Sequence, residues 1–281
     1  VAGAAALAPV GDYYARILGV AYSAAFIAFG RFLIGGVFGL AGLSVLGRYH
    51  PPHGREWLPH LWRAGMLAGS ILCFIAALPM APLVDVVAGF NLAPAFAAAM
   101  GAAFLKESSP PQKTLGVGLS LCGAIAIIDP TGTMSLGGGL AVVAGLMFAI
   151  YLVAARLAPM SEDPSSAAVT QSLLAALIVT PFAFSAAPAF EAPPMWALIA
   201  FALIGAISGA CQCATLIAHR FASTSTLAPF FYTALISSLF IGTMLLDEAP
   251  SPAGLMGVLL IGIGGLLVAV FNETDSKVAV S

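Results

Sequence analysis

Asp12, Arg31, Asn91, Tyr232, Thr233 and Ser237 each stand inside a long apolar stretch of the sequence. In hydrocarbon such side chains need a partner or a cavity, so each is a candidate binding position. Asp12 and Arg31 are opposite charges. They can form a salt bridge that only holds two helices together, or a charge pair at a cavity wall that meets the ammonium and carboxylate of a zwitterion. Arg16, one helical turn after Asp12, offers that carboxylate a second partner and would then leave Arg31 to an anion. Asn91 brings an amide with two donors and one acceptor, and Tyr232 an aromatic face with a hydroxyl, which together suit an amino acid with an apolar side chain. Pro94 removes a helix hydrogen bond near Asn91 and frees a carbonyl. Thr233, Ser237 and Ser238 follow Tyr232 on the same stretch, where helix-to-helix packing is the alternative use of their hydroxyls.

Other polar residues point less clearly to a site. Glu107 and Glu248 each end an apolar run just before a Ser/Pro turn, which fits pairing and turn formation, with a proline opening the next helix. Gln171 and Gln212 are amides of undetermined facing. Tyr22 and Tyr151 fit an interfacial belt as well as a ligand contact. His50, His53 and His60 lie in a basic stretch with loose spacing and read as a solvated loop. Cys211 and Cys213 cannot both face one metal from a helix, and all four cysteines fall in apolar segments as small packing residues. No phosphate-binding loop with Lys and Ser/Thr is present. No intramembrane His is available with an acidic partner to organise a nucleophile or a metal, which argues against a membrane enzyme. The sequence therefore calls for no cofactor.

The elements that must position these residues follow from composition. Of 281 residues 60% are hydrophobic and 8% charged, with a mean hydropathy of +1.03. Ten basic and twelve acidic residues cannot cover a soluble domain of this size, so lipid must form the exterior. A net charge of −2 offers no surface for nucleic acid. About 20 residues cross a bilayer as a helix. That ruler places ten spans near 2–21, 23–47, 61–81, 82–105, 112–129, 136–158, 166–187, 195–218, 224–246 and 252–271, separated by turns such as "KESSPPQ", "SEDPSS" and "DEAPSP". Pro9, Gly11, Asp12 and Arg16 interrupt residues 1–21, which read as a first membrane helix rather than a cleavable leader. At 1.5 Å per residue, Asp12 and Arg31 lie about 12 Å from the same face, and Asn91 and Tyr232 about 14 Å deep.

Lys and Arg accumulate in short cytoplasmic loops. Arg48, Arg55, Arg63, Lys106, Lys113, Arg156, Arg220 and Lys277 all fall on one side of the ten spans. Both termini are therefore expected in the cytoplasm. Leu105, Glu107, Pro111, Gly116, Val117, Leu119 and Gly123 return at an offset of 141 residues as Leu246, Glu248, Pro252, Gly257, Val258, Leu260 and Gly264. The first copy carries lysines and the second none, as expected if five spans, an odd number, put the copies on opposite faces. The fold expected is an all-α integral membrane protein of ten helices in two inverted five-helix repeats, residues 1–131 and 132–281, around a site near the midplane. Gly65 and Gly69, and Gly205 and Gly209, add matching small-xxx-small patterns for close helix contact.

An apolar helix ending in Leu-x-Glu, a proline and a Gly-rich helix, given twice, resembles the EamA domains of the drug/metabolite transporter superfamily. "LAPFFYTALISSLFIGTMLLDEAPSPAGLMGVLLIGIGG" is similar to the second-domain signature, and "FGRFLIGG" to the Arg-containing start of that family's second helix. Where many relatives have Gly before the repeat glutamate, this chain has Lys106 and Asp247. The resemblance implies a secondary transporter of small metabolites in a bacterial inner membrane. Export of amino acids is its nearest implication; import of a compound such as riboflavin or S-adenosylmethionine is the alternative, and a non-transporting structural or lipid-translocating subunit the alternative of another class. The partners expected are a small-molecule substrate, amino acids first, and the lipid bilayer.

Overall fold

A computed structural model describes residues 2–104, 111–128, 136–159, 161–185, 193–221, 233–248 and 252–278, and among them there are helices and turns but no strand. The helices are α1 (Ala2–Leu18), α2 (Ala24–Val45), α3 (Trp57–Ala77), α4 (Leu83–Phe90), α5 (Ala93–Phe104), α6 (Pro111–Ile128), α7 (Leu136–Arg156), α8 (Pro164–Ser185), α9 (Met195–Phe221), α10 (Thr233–Leu245) and α11 (Pro252–Val278). Among the described residues, six apolar stretches are long enough to cross a bilayer: Ala24–Val45, Gly54–Ala77, Leu83–Gly101, Leu136–Arg156, Pro164–Ser185 and Met195–Thr215. The chain is a multi-pass membrane protein. Its outer face carries large apolar side chains in the open, such as Ile125, Phe182, Ile236 and Leu259. In water that surface would aggregate; in a bilayer it meets a solvent of its own polarity.

Local signals set the helix ends. Ser23 caps α2, its Oγ accepting from the Phe26 N–H at 3.2 Å. Gly47, at φ +63°, ends the same helix, with Arg48 N–H on Leu43 O at 2.8 Å and Gly47 N–H on Ser44 O at 3.0 Å. That is the double bond pattern of a Schellman cap, which needs a left-handed residue. Prolines 111, 164 and 252 open α6, α8 and α11, where their missing N–H costs nothing. Asp247, at φ +51°, takes the left-handed conformation in the α10–α11 turn. Glycine adopts it freely, and aspartate is among the few other residues that tolerate it.

Two expected spans differ. The third begins at Trp57 rather than near 61, because a 3-10 turn at Gly54–Glu56, held by His53 N–H on Glu56 Oε2 at 2.8 Å, starts the helix early. His60 and Arg63 are thereby drawn into α3 and buried, which overturns the reading of His60 as part of a solvated loop. The fourth span is broken into α4 and α5. Asn91 ends α4, its backbone N–H and its Nδ2 both donating to Val87 O at 2.9 and 2.8 Å. Pro94, in the first turn of α5, has no N–H with which to continue the ladder.

The helices pack across the chain more than along it. α1 lies against α9 and α10, and α7 against α3, α4 and α5; α2 packs on α8 and α9, α3 also on α8, and α6 on α11. The α6–α11 contact is reciprocal. A Cβ added at Gly123 would lie 2.6 Å from Gly257 O, and one added at Gly264 would strike Gly116 O. The two helices therefore run antiparallel with backbones touching, and the four glycines are the ones that repeat at the 141-residue offset. Gly205 and Gly209 likewise meet Gly35 of α2 backbone to backbone. The matching pattern in α3 does not act this way: nothing lies within 4 Å of a Cβ at Gly65, and Gly69 meets only the flexible Met147 side chain.

Candidate functional site

At the centre of the bundle lies a cavity of about 140 Å³, walled by α1, α2, α3, α4, α7, α8, α9 and α10. Asp12, Arg31 and Asn91 all face it. Thr233 begins α10 beside the lining residue Ala234, and Ser237, one turn on, is half-buried and is not among the lining residues. Tyr232 lies outside the described residues.

The charges come first, because burial makes them the most expensive groups present. Arg31 Nη1 donates to Asp12 Oδ1 at 3.2 Å, with both side chains nearly enclosed. Asp12 thus pairs with Arg31 and not with Arg16. Arg16 turns the other way, its Nη2 bridging Glu248 Oε1 at 2.5 Å and its Nη1 donating to Ala81 O at 2.9 Å. Glu248 Oε2 also accepts from the Leu83 N–H at 2.7 Å, capping α4. Glu248 therefore has the turn-and-pairing role expected of it, although the helix it caps is α4 rather than the one that follows. Asp85, in the first turn of α4, is a further buried carboxylate, and its Oδ1 has no partner among the described residues.

A second ion pair closes the opposite end of the bundle. Arg63 grips Glu162 with two parallel bonds, Nη1 to Oε1 at 2.7 Å and Nη2 to Oε2 at 2.8 Å, while Nε donates to Pro59 O at 3.3 Å. His60 Nε2 lies 3.8 Å from Glu162. Around it, Tyr49 shares a hydrogen bond with Thr170 at 3.2 Å, and the His50 N–H donates to Ser166 Oγ at 3.0 Å. The contrast with Asp12–Arg31 is informative. Arg63 uses its planar fork fully, as a structural pair does. Arg31 spends one longer contact on Asp12 and faces a cavity, so the fork that suits a carboxylate is not filled by its protein partner.

The remaining wall is aromatic. Phe74, Phe90, Phe148 and Tyr151 form a continuous run, with successive ring centroids 5.2, 4.8 and 5.4 Å apart. All four line the cavity. Tyr151 is 1% exposed, which removes it from any interfacial belt. Its hydroxyl and the Nε2 of Gln212, also a lining residue, are buried beside one another, and neither has a well-formed hydrogen bond among the described residues. Gln212 Oε1 is held by the Ser172 hydroxyl at 2.8 Å. Gln171 is fully buried in α8 and is not among the lining residues. The sequence carried no signal that Tyr151, Ser172 and the phenylalanines converge. Phe148 and Tyr151 sit on α7, which is apolar on every side until Arg156, so their facing cannot be read from periodicity.

This arrangement, an amphipathic cavity within a membrane bundle that is helical throughout its described elements, fits a transporter of small molecules. The chain belongs to the EamA-like transporter family, whose sequence profile matches it twice, at residues 1–128 and 135–270. No curated protein matches it. A solved crystal structure superposes with a TM-score of 0.71 over 97% of this chain and 95% of its own, at 19% identity, and that likeness is one of fold.

Proposed function

We propose that the protein exports amino acids across a bacterial inner membrane, as a secondary transporter of ten spans in two inverted repeats, residues 1–131 and 132–281, working by alternating access. The observation that carries this reading is the buried Asp12–Arg31 pair facing an otherwise apolar, aromatic cavity. A zwitterion can exchange for that pair, its carboxylate taking Arg31 and its ammonium taking Asp12, so neither protein charge is left unpaired in a medium that penalises it. Nucleic acids and large anions have no place in such a site.

The reciprocal contact of α6 with α11 supports the inverted repeats, because two units related by a twofold axis must meet through the same residues in exchange. The two terminal ion pairs support alternating access. Arg16–Glu248 and Arg63–Glu162 each tie a helix of the first half to a turn of the second, at opposite ends of the bundle. Breaking one while the other holds would open the cavity to one side at a time. The lopsided Lys and Arg count assigns the Arg63–Glu162 end to the cytoplasm and the Arg16–Glu248 end to the outside.

Uptake of labelled amino acids into liposomes holding the purified chain, with and without a proton gradient, tests the reading. Saturable transport of neutral amino acids, lost in Arg31→Met, is expected. Failure of every amino acid to move or compete would refute the substrate class, and a purified chain that moves no solute at all would favour the non-transporting subunit.

A further inference from the structure

Two buried polar groups lining the cavity, the Tyr151 hydroxyl and the Gln212 amide NH2, lie beside one another and neither has a well-formed hydrogen bond among the described residues. A buried donor without a good acceptor costs free energy, and proteins retain such groups where something else completes them. Neither is free to turn away. Tyr151 is stacked on Phe148, with ring centroids 5.4 Å apart and planes 22° from parallel. Gln212 is oriented by the Ser172 hydroxyl on its Oε1 at 2.8 Å, which leaves its NH2 as the function turned toward Tyr151. Both side chains line the same cavity as Asp12 and Arg31.

The distance of Gln212 from the charge pair follows from helix register. Gly11, next to Asp12, packs on Ile207 of α9. Gln212 lies five residues further along that helix, about 7.5 Å at the standard rise. The aromatic run of Phe74, Phe90 and Phe148 leads to Tyr151. The cavity is thus a charged pole, an aromatic wall and a second, neutral pole that offers hydrogen bonds.

We propose that Tyr151 and Gln212 form a distal binding pole for a hydrogen-bonding group carried about 7.5 Å from the charged head of the substrate, so that the preferred substrate is a zwitterion whose apolar or ring-shaped body ends in a polar function. This rests on the reading that Asp12 and Arg31 hold the zwitterion. It adds a requirement that a plain aliphatic or unsubstituted aromatic amino acid does not meet. A site that offers buried hydrogen bonds discriminates against an analogue that cannot complete them, because its own groups then stay unpaired.

L-Tyrosine and L-phenylalanine differ by one hydroxyl at the far end of the ring and serve as the matched probes. The full chain, reconstituted in liposomes, is assayed by competition of each against a common transported amino acid. The expected result is an apparent affinity for tyrosine about two- to tenfold above that for phenylalanine, as one neutral hydrogen bond supplies. In Tyr151→Phe and in Gln212→Leu that ratio should fall toward one. Thermal stability of Tyr151→Phe should be largely kept, since the hydroxyl removed has only the poorly aligned Gln212 amide beside it to lose. Equal competition by the two probes in the wild type, an unchanged ratio in both variants, or a marked loss of stability in Tyr151→Phe would overturn the distal pole while leaving the zwitterion reading in place. Competition by neither probe, nor by any other amino acid, would overturn the zwitterion reading and the distal pole with it.

Discussion

Removal of the Glu162 carboxylate should destabilise the protein more than removal of its arginine. Arg63 is the deeper partner, with 4% of its side chain exposed against 20% for Glu162. In Glu162→Ala the guanidinium loses both short bonds, and its Nε contact to Pro59 O remains. An uncompensated buried charge of this kind costs ~3 to 5 kcal/mol, and partial access of water at the Glu162 side favours the lower figure, about 3 kcal/mol. Arg63→Met instead leaves a carboxylate that water reaches. Its loss is that of hydrogen bonds to a charged group, about 1.5 kcal/mol at the lower end of the usual range. The double variant should cost less than the sum, because neither buried charge then remains. Denaturant unfolding of the purified protein in mild detergent, followed by tryptophan fluorescence and analysed as a double-mutant cycle, measures all three. Additive losses, or a larger loss for Arg63→Met than for Glu162→Ala, would refute the assignment of Arg63 as the buried member of a coupled pair.

The Asp12–Arg31 pair should show the same coupling, with single removals costing ~3 to 5 kcal/mol and the double removal less, read in the same unfolding assay. Gly145→Ala should lower stability by about 1 to 3 kcal/mol, since its Cβ would lie 2.6 Å from Gly89 O and cannot be accommodated by a side-chain rotation. Gly65→Ala, with nothing within 4 Å of the added carbon, should be neutral or stabilising by up to about 1 kcal/mol; thermal melts of the two variants side by side check the contrast. A cysteine placed at Ala249 should react with an impermeant thiol reagent from outside and one at Ser108 should not, and the reverse pattern would invert the proposed topology.

What the sequence made legible divides along physical lines. Prolines 94, 111, 164 and 252 mark a break and three helix starts, because a missing N–H acts locally whatever the tertiary context. Asp12, Arg31 and Asn91 could be placed at a cavity because polarity in hydrocarbon is costly enough to single a residue out. Arg63 and Glu162 were not legible as a pair. They lie 99 positions apart, and Arg63 reads as one of several basic loop residues until the early start of α3 buries it. Asp85 escaped notice for a related reason, being a carboxylate only three residues into an apolar run. The aromatic wall stayed hidden because a membrane helix can be equally apolar toward lipid and toward a cavity, and the hydrophobic stripe that orients a soluble helix has no counterpart here.

The glycine-to-glycine seam between α6 and α11 has a mechanical consequence for the proposed cycle. If the halves trade conformations during transport, every contact between helices of different kind, such as α3 on α7 and α1 on α9, is exchanged for its counterpart. A contact between equivalent helices is carried onto itself. Gly116 against Gly264 and Gly123 against Gly257 therefore need not separate in either conformation of such a cycle, and their bare backbones, too close for any side chain to wedge between, would make the seam an axle about which the other helices rock. A disulfide or a bulky residue that stiffens α3 against α7 should stop the cycle, whereas a crosslink that locks α6 to α11 should leave it turning.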